Sequence, residues 1–436
     1  MFFKKIISII FLCLFNYCLK AQDLGNSPYS QLAFGDIQPA GGVQQTSMGG
    51  SVSFVMPFTL NTANPASLSR LSKSKNTIYE AAATLQLKEV AQSNSNQRTF
   101  AGSLAYIAAA FPVSKMVAMS IGLRPVSSVN YQNQITQQVT NSDFLTDVSY
   151  TGKGGLNTIY VDVAVDLTKN FRADTLKHRL ALGLRTGYVF GGITEETSVK
   201  IRTGQLNDDV KSVFFQRNRW NDLLFEPALL YTYKLGKDQK LNFGATATIG
   251  KNMQTLRFLS VQRFAGAGST LIGADTLFRE SVNKVYYPQK LNFGVSWEKD
   301  LKWALTADFF TQNWKPDPNF NPNEKITTSW GASVGVQYIP DFYAVKKIFF
   351  KRNFYRAGFV YQQTPIMTNG QNITDMALNL GVGIPIVVQK SFSIVNLGFS
   401  FGQRGTLNNG LVRENYMRIQ VGVTINDRWF EKFKLN

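Results

Sequence analysis

Leu241-Asn-Phe-Gly-Ala-Thr-Ala-Thr-Ile-Gly250 alternates without interruption: Leu241, Phe243, Ala245, Ala247 and Ile249 stand against Asn242, Gly244, Thr246, Thr248 and Gly250. Successive side chains of a strand point to opposite faces, so this stretch reads as a β-strand with one apolar face. The same period runs through Ile159–Leu167, Trp330–Tyr338, Met376–Ile384, Val395–Phe401 and Met417–Ile425. The opposite face decides between two kinds of β-protein. A soluble sandwich would carry Lys and Glu in quantity on its wet face. Here the second face is mostly Gly, Asn, Ser, Thr and Gln, the mixture of a crowded barrel interior, with Leu, Val and Phe left to face lipid. The expected fold is all-β: a transmembrane antiparallel β-barrel of the outer-membrane type. Trp297, Trp303, Trp429 and Phe430 fall at strand ends, where aromatic girdles lie.

Working outward, the pattern gives about fourteen strands, near 76–92, 96–113, 115–132, 143–168, 177–203, 208–235, 239–264, 275–298, 302–315, 326–339, 353–364, 372–387, 391–404 and 412–427. Links after even strands are mostly tight, as from Val113 to Lys115, Leu235 to Lys240, Glu298 to Lys302 and Val387 to Ser391. Those after odd strands are mostly longer, as in Trp314 to Lys325 and Ala265 to Ala274. Short inner turns with long outer loops, and an even strand count, place both termini in the periplasm of a multi-pass protein of the cell outer membrane. The link from Ile339 to Asn353 is the exception.

The chain opens on Met1-Phe-Phe-Lys-Lys5 followed by an apolar run from Ile6 to Phe15, the pattern of a signal peptide. A membrane-spanning helix needs about 20 apolar residues, and Asn16 and Lys20 end the run too soon. Cleavage is expected after Ala21 or one residue later, which makes residues 1–21 the signal. Cys13 and Cys18 leave with it. The mature chain then has no thiol for disulfides, catalysis or metal.

The formal net charge of +18 raises the question of nucleic acid, but Lys and Arg are scattered singly with no basic helix or recognised module. Anionic lipid head groups explain a basic membrane protein more simply. Enzymatic chemistry finds no place either. His178, the one histidine, sits between Lys177 and Arg179 beside a turn, and no Ser/His/Asp arrangement can be assembled around it. No cofactor is expected. A calcium site near Asp208-Asp209 would need only oxygen ligands and stays open as an alternative.

Residues 22–75 fit no wall strand. They contain Met48-Gly-Gly50, Pro57 and Asn64-Pro-Ala66, a composition of turns and short irregular pieces. A barrel this wide has a lumen to fill, so residues 22–75 are read as an N-terminal plug and 76–436 as the barrel.

At this point the segments Ala40-Gly-Gly-Val-Gln-Gln-Thr-Ser-Met-Gly-Gly50 and Leu60-Asn-Thr-Ala-Asn-Pro-Ala66, ahead of fourteen strands, resemble the FadL-type long-chain fatty acid transporters of the outer membrane. Met48, Gly49, Gly50, Asn64, Pro65 and Ala66 are the plug landmarks of that resemblance. It implies passive uptake of a hydrophobic small molecule such as a long-chain fatty acid, released sideways through a gap at a kinked third strand. Arg124-Pro125 is the candidate kink, because Pro cannot donate to a ladder; an ordinary strand end is the alternative. The same architecture resembles the shuttle barrel of the type IX secretion system. That second likeness implies a non-transporting barrel acting as a structural or docking partner of other outer-membrane or exported proteins.

Strand parity turns Glu80, Arg124, Asp162, Asp166, Arg185, Glu226, Asp308, Arg356 and Arg418 inward. In a porin such charges would line a water channel. The preferred reading pairs them with one another and with the plug, because a buried charge without a partner is costly.

Overall fold

A computed structural model of the chain describes residues 26–74, 76–92, 95–139, 141–170, 177–202, 210–265, 270–315, 324–344, 349–388 and 391–428. The signal segment, Lys75, Asp208-Asp209, Trp429 and Phe430 lie outside them.

The alternating segments form fourteen wall strands. In chain order they are β1 Asn76–Gln92, β2 Ser95–Pro112, β3 Val117–Gln138, β4 Leu145–Asp166, β5 His178–Arg202 and β6 Val210–Lys234. Two broken strands follow: β7 as Gln239–Thr248 and Lys251–Ala265, and β8 as Thr270–Tyr287 and Gln289–Lys299. Next come β9 Trp303–Asn313, β10 as Glu324–Ile326 and Ser329–Tyr338, β11 Phe354–Thr368, β12 Gln371–Val388, β13 Ser391–Gly405 and β14 Arg413–Arg428. Neighbours pair antiparallel, and β14 returns to β1 from Arg413↔Ala91 to Arg428↔Asn76, which closes the barrel. Closure gives every wall strand a paired neighbour on each side along at least part of its length, the arrangement an apolar solvent demands.

Parity holds around the wall. Asn242 and Ser296 are fully buried inside, while Phe293, Val334 and Leu378 are about half exposed outside, where lipid would cover them. Trp297 and Trp303 meet edge to face at 4.8 Å on the short-turn rim.

Two links differ from the sequence expectation. The β4–β5 link, residues 167–177, is not tight; it begins with the helical turn Leu167–Asn170, as the long link before β11 contains Phe349–Arg352. On the opposite rim, β11 and β12 join tightly through Asn369-Gly370, both at positive φ, the turn that suits the twist of a hairpin. β3 also continues past the expected 132 to Gln138.

Residues 26–74 run inside the wall as short pieces: the 3-10 turn Pro28–Gln31, the two-residue strand Asp36–Ile37, the helical turn α1 Val43–Thr46 and the 3-10 stretch Pro65–Lys73. The last packs on the inner faces of β2 to β6, and α1 packs on β12 to β14. Val43, Met48, Phe54, Leu60 and Ala66 are buried in the resulting core.

Candidate functional site

The lumen is held by wall carboxylates that accept backbone N–H groups from the inner segment. An irregular segment has amides that no ladder satisfies, and burying them unpaired costs as much as a lost hydrogen bond. Glu80 on β1 accepts from the Leu60 amide at 2.9 Å and from Gln44 Nε2, the Tyr106 hydroxyl and the Thr424 hydroxyl. Glu298 on β8 accepts from the Val55 amide at 3.0 Å, and Asp308 on β9 from the Val52 amide at 2.9 Å. Three carboxylates thus pin residues 52, 55 and 60.

Arg185 on β5 anchors the next stretch. Its Nε and Nη2 hold both oxygens of Asp162 on β4 at 2.7 and 2.9 Å, Nη1 reaches Glu226 on β6 at 3.3 Å, and Nη2 donates to the Thr62 carbonyl at 2.9 Å. The guanidinium lies over the Tyr160 ring at 4.1 Å. Such a fork makes planar, bidentate pairs stronger than single contacts.

A second ionic knot fixes the first residues of the segment beneath the opposite rim. Asp36 pairs with Arg404 on β13 and with Lys88 on β1, and both cations also face Glu414 on β14 at 3.8 and 3.4 Å. Arg404 reaches Asp375 at 3.6 Å, and the Ser27 hydroxyl donates to Glu414 at 2.6 Å. Burial alone would raise the Asp36 pKa, but the two cations hold it well below the usual carboxylate range.

Among the described residues the ladder between β2 and β3 stops partway up the wall, leaving a seam. β2 and β3 pair only from Ile107↔Leu123 to Pro112↔Ala118, whereas β3 and β4 pair along the full length of β3. Pairing to β2 stops just before Arg124-Pro125, and a bulge separates Pro125 from Ser127 in the ladder to β4. Above that point the inner segment takes the freed edge of β3. Asp36 and Ile37 pair with Ser128 and Ser127, Gln38 N donates to Val126 O, and Ser27 N donates to Asn130 O at 2.8 Å. Arg124 itself faces Glu226 at 3.7 Å.

Behind the seam stands Phe34. Its ring is 6.0 Å from Trp220, 5.6 Å from Tyr287 and 6.2 Å from Trp314, within an apolar cluster that includes Val126, Leu156 and Met253. The space left beside it is a cavity of about 290 Å³ whose lining includes Asp36, Arg124, Glu226, Lys290, Arg404 and Arg418. A mostly apolar cavity of about 250 Å³ lies between Pro57, Phe58, Leu68, Leu71 and Ile78 at the short-turn end, with no residue of β2 or β3 in its wall.

The sequence landmarks are contact points. Gly49 and Gly50, at φ +85° and +94°, end the α1 turn, and Gly50 N donates to Gln45 O at 2.7 Å. Met48 is fully buried against Gly335 and Gly358, where a Cβ would overlap its backbone. Asn64 caps the 3-10 stretch by accepting from Ala66 N at 2.9 Å while donating to Val52 O at 2.8 Å. After Pro65, Ala66 lies against Gly183, again without room for a side chain.

Of the nine inward charges, Glu80 and Asp308 meet the inner segment, and Arg124, Asp162, Arg185 and Glu226 form one linked group. Asp166 pairs apart from these with Arg179 at 3.4 Å. Two differ from the expectation of ion pairing: Arg356 donates to Gln337 and Asn396, and Arg418 donates to Gln86. Neutral amides there take the place of carboxylates. Sequence reasoning missed Asp36, Lys88, Glu298, Asp375, Arg404 and Glu414. Lys88 and Glu298 continue the alternation of their strands and were open to the same parity reading, Asp375, Arg404 and Glu414 sit toward strand ends, and Asp36 lies in a segment with no period. His178 Nδ1 is 2.6 Å from the Tyr231 hydroxyl on the exposed rim. Among the described residues no three His, Cys, Asp or Glu side chains are grouped to hold a metal.

A family model described as BamG matches residues 2–436. No curated protein matches the chain. Solved structures similar to it include a FadL homologue of Pseudomonas aeruginosa, at 11% identity and TM-score 0.54 over 90% of this chain and 98% of that one. Another is the toluene transporter TodX of Pseudomonas putida, at 14% and 0.53 over 91% and 100%. A third is the monoaromatic hydrocarbon channel CymD, at 13% and 0.52 over 91% and 99%. At these identities the likeness establishes the fold.

Proposed function

The chain belongs to the BamG family, and from that premise we propose that it is a plugged outer-membrane barrel serving as a docking partner in an assembly of membrane or exported proteins, with its short turns and both termini in the periplasm. One observation carries this reading. The apolar space behind the seam, where a hydrophobic ligand would have to rest, is taken by the chain's own Phe34, and the cavity of about 290 Å³ left beside it mixes apolar side chains with Arg124, Glu226, Lys290 and Arg404 in its lining. A conduit for apolar molecules needs a concave, mostly apolar path. A docking barrel needs a rigid wall, and the three carboxylate anchors and the Arg185 and Asp36 knots supply rigidity. Native mass spectrometry of the protein purified from its own membrane tests this: a stoichiometric protein partner is expected, and a lone barrel carrying lipid or another apolar ligand overturns it.

A second reading, sideways passage of a hydrophobic small molecule, is favoured by the end of the β2–β3 ladder at Pro125. The similar solved barrels named as toluene and hydrocarbon channels add support of fold alone. Under that reading Pro125→Val restores a backbone donor and slows uptake of a labelled long-chain fatty acid, while Phe34→Ala enlarges the path and speeds it. Under the docking reading neither variant changes uptake.

A further inference from the structure

On the outer surface of β4 to β6, three cations surround a piece of wall that carries almost no side chains. The ladders set Lys153, Thr194 and Arg217 side by side in one row, and Gly155, Gly192 and Arg219 in the next. Their strand neighbours Leu156, Ile193 and Trp220 are buried in the lumen, so both rows face outward. Adjacent strands lie about 4.8 Å apart and every second residue of a strand about 7 Å apart, which puts Lys153 and Arg217 roughly 10 Å apart and Arg219 next to Arg217. One small group above Gly192 is therefore within reach of all three side chains. A Cβ at Gly192 would already lie 3.6 Å from Cγ of Arg219, whose stem runs beside the bare backbone.

Lys153 and Arg219 are exposed, and the half-buried Arg217 holds its guanidinium 5.4 Å from the centre of the Phe258 ring. None of the three joins an ion pair among the described residues. Asp147 and Glu196, the carboxylates that β4 and β5 turn outward nearby, already pair with Arg202 and Lys211. Three like charges this close repel one another, and an anion among them turns that repulsion into attraction.

Depth supplies the second observation. Ile159, Tyr188 and Leu223 form a row of the same wall in which each residue is 45% exposed, as lipid-facing residues are. Phe190 stacks on Tyr188 one row farther out. From Leu180 to Phe190, β5 has about the length a tilted strand needs to cross the apolar layer. Gly192 follows at once, so the cations stand where that layer gives way to head groups on the long-loop side.

We propose that Lys153, Arg217 and Arg219 bind a phosphate group of an outer-leaflet glycolipid whose acyl chains lie along Phe190, Tyr188 and Leu223. Guanidinium forks match phosphate oxygens, and the bare backbone of Gly155 and Gly192 lets the head group approach the wall. The apolar rows directly below favour a lipid over a free ion, which would have no use for them. The proposal rests on the orientation given above and is independent of whether the barrel docks a protein or passes a ligand.

The full-length barrel in detergent is incubated with lipid A carrying both phosphates, or with the same lipid dephosphorylated, and retention is read by native mass spectrometry. The phosphorylated lipid is expected to be held about tenfold more tightly. Lys153→Gln/Arg217→Gln/Arg219→Gln, with heat-modifiability confirming an intact barrel, is expected to lose that preference, and Arg219→Gln alone to lower it about threefold. Arg263→Gln/Arg279→Gln/Lys284→Gln, an equal loss of charge farther from the membrane, is expected to keep it. Equal retention of the two lipids, a preference untouched in the single or the first triple variant, or an equal loss in the second triple variant overturns the proposal. Full displacement of the lipid by an equal concentration of inorganic phosphate also overturns it, in favour of a site for the free ion.

Discussion

Arg185 and Asp162 sit on adjacent wall strands with both carboxylate oxygens engaged, and the same guanidinium reaches the carbonyl of Thr62 in the inner segment. One side chain thereby couples the wall to its contents. Replacing Arg185 with Met leaves Asp162 buried without its cation, a change that typically costs about 3–5 kcal/mol. The inner segment of Arg185→Met is expected to become sensitive to limited proteolysis near Thr62, and Arg185→Met/Asp162→Leu to recover much of the protection. If the single variant is as resistant as the parent, the anchor is dispensable.

Removing residues 26–74 should leave a barrel that still inserts, because the wall strands make most of their backbone pairs with one another. That barrel is expected to pass small ions in planar bilayers where the intact protein does not. Equal conductance would mean that the segment does not block the lumen.

Val421 faces outward and Gln420 is buried inward on β14. Val421→Arg is expected to cost about 2–4 kcal/mol near the bilayer midplane and to reduce the heat-modifiable folded fraction, and Gln420→Arg much less. The reverse order would show that the faces of β14 are exchanged.

Asp36 carries a pH dependence whose sign follows from its lowered pKa. A carboxylate with a depressed folded pKa contributes stability above its unfolded pKa, about 3.9, and loses it as pH falls through the folded value. Residues 26–38 are therefore expected to stay protease-resistant from pH 7 down to about 4 and to loosen only in stronger acid. Asp36→Asn should loosen them already at pH 7, the difference from the parent shrinking as the acid strengthens. A variant indistinguishable at pH 7 would exclude the knot as an anchor.

The wall was legible because a period of two over ten residues, with Asn242 and Thr246 on one side and Phe243 on the other, allows few other structures. The break in β7 at Ile249-Gly250 was not, since apolar residues continue on both sides, and the break in β8 was overlooked although Pro288 stands at it. Pro125 was singled out by chemistry, for a residue without an N–H cannot donate to a ladder, yet Pro227 and Pro385 sit in unbroken register, so that signal alone does not mark a break. Phe34 gave no such signal. Its role depends on Trp220 in β6, Tyr287 in β8 and Trp314 just after β9, brought to it from distant parts of the chain. The charges were found where parity was clean, Lys88 and Glu298 excepted, and missed toward strand ends, and no pattern in the sequence says that Arg356 bonds to amides.

The wall glycines that touch the inner segment form a cast of it. Gly183 receives Ala66, Gly244 receives Val52, Gly335 and Gly358 receive Met48, and Gly381 receives Ser47, each with no space for one more carbon. Scanning every inward position for tolerance to alanine would thus print the outline of the enclosed chain in negative, without any probe entering the lumen.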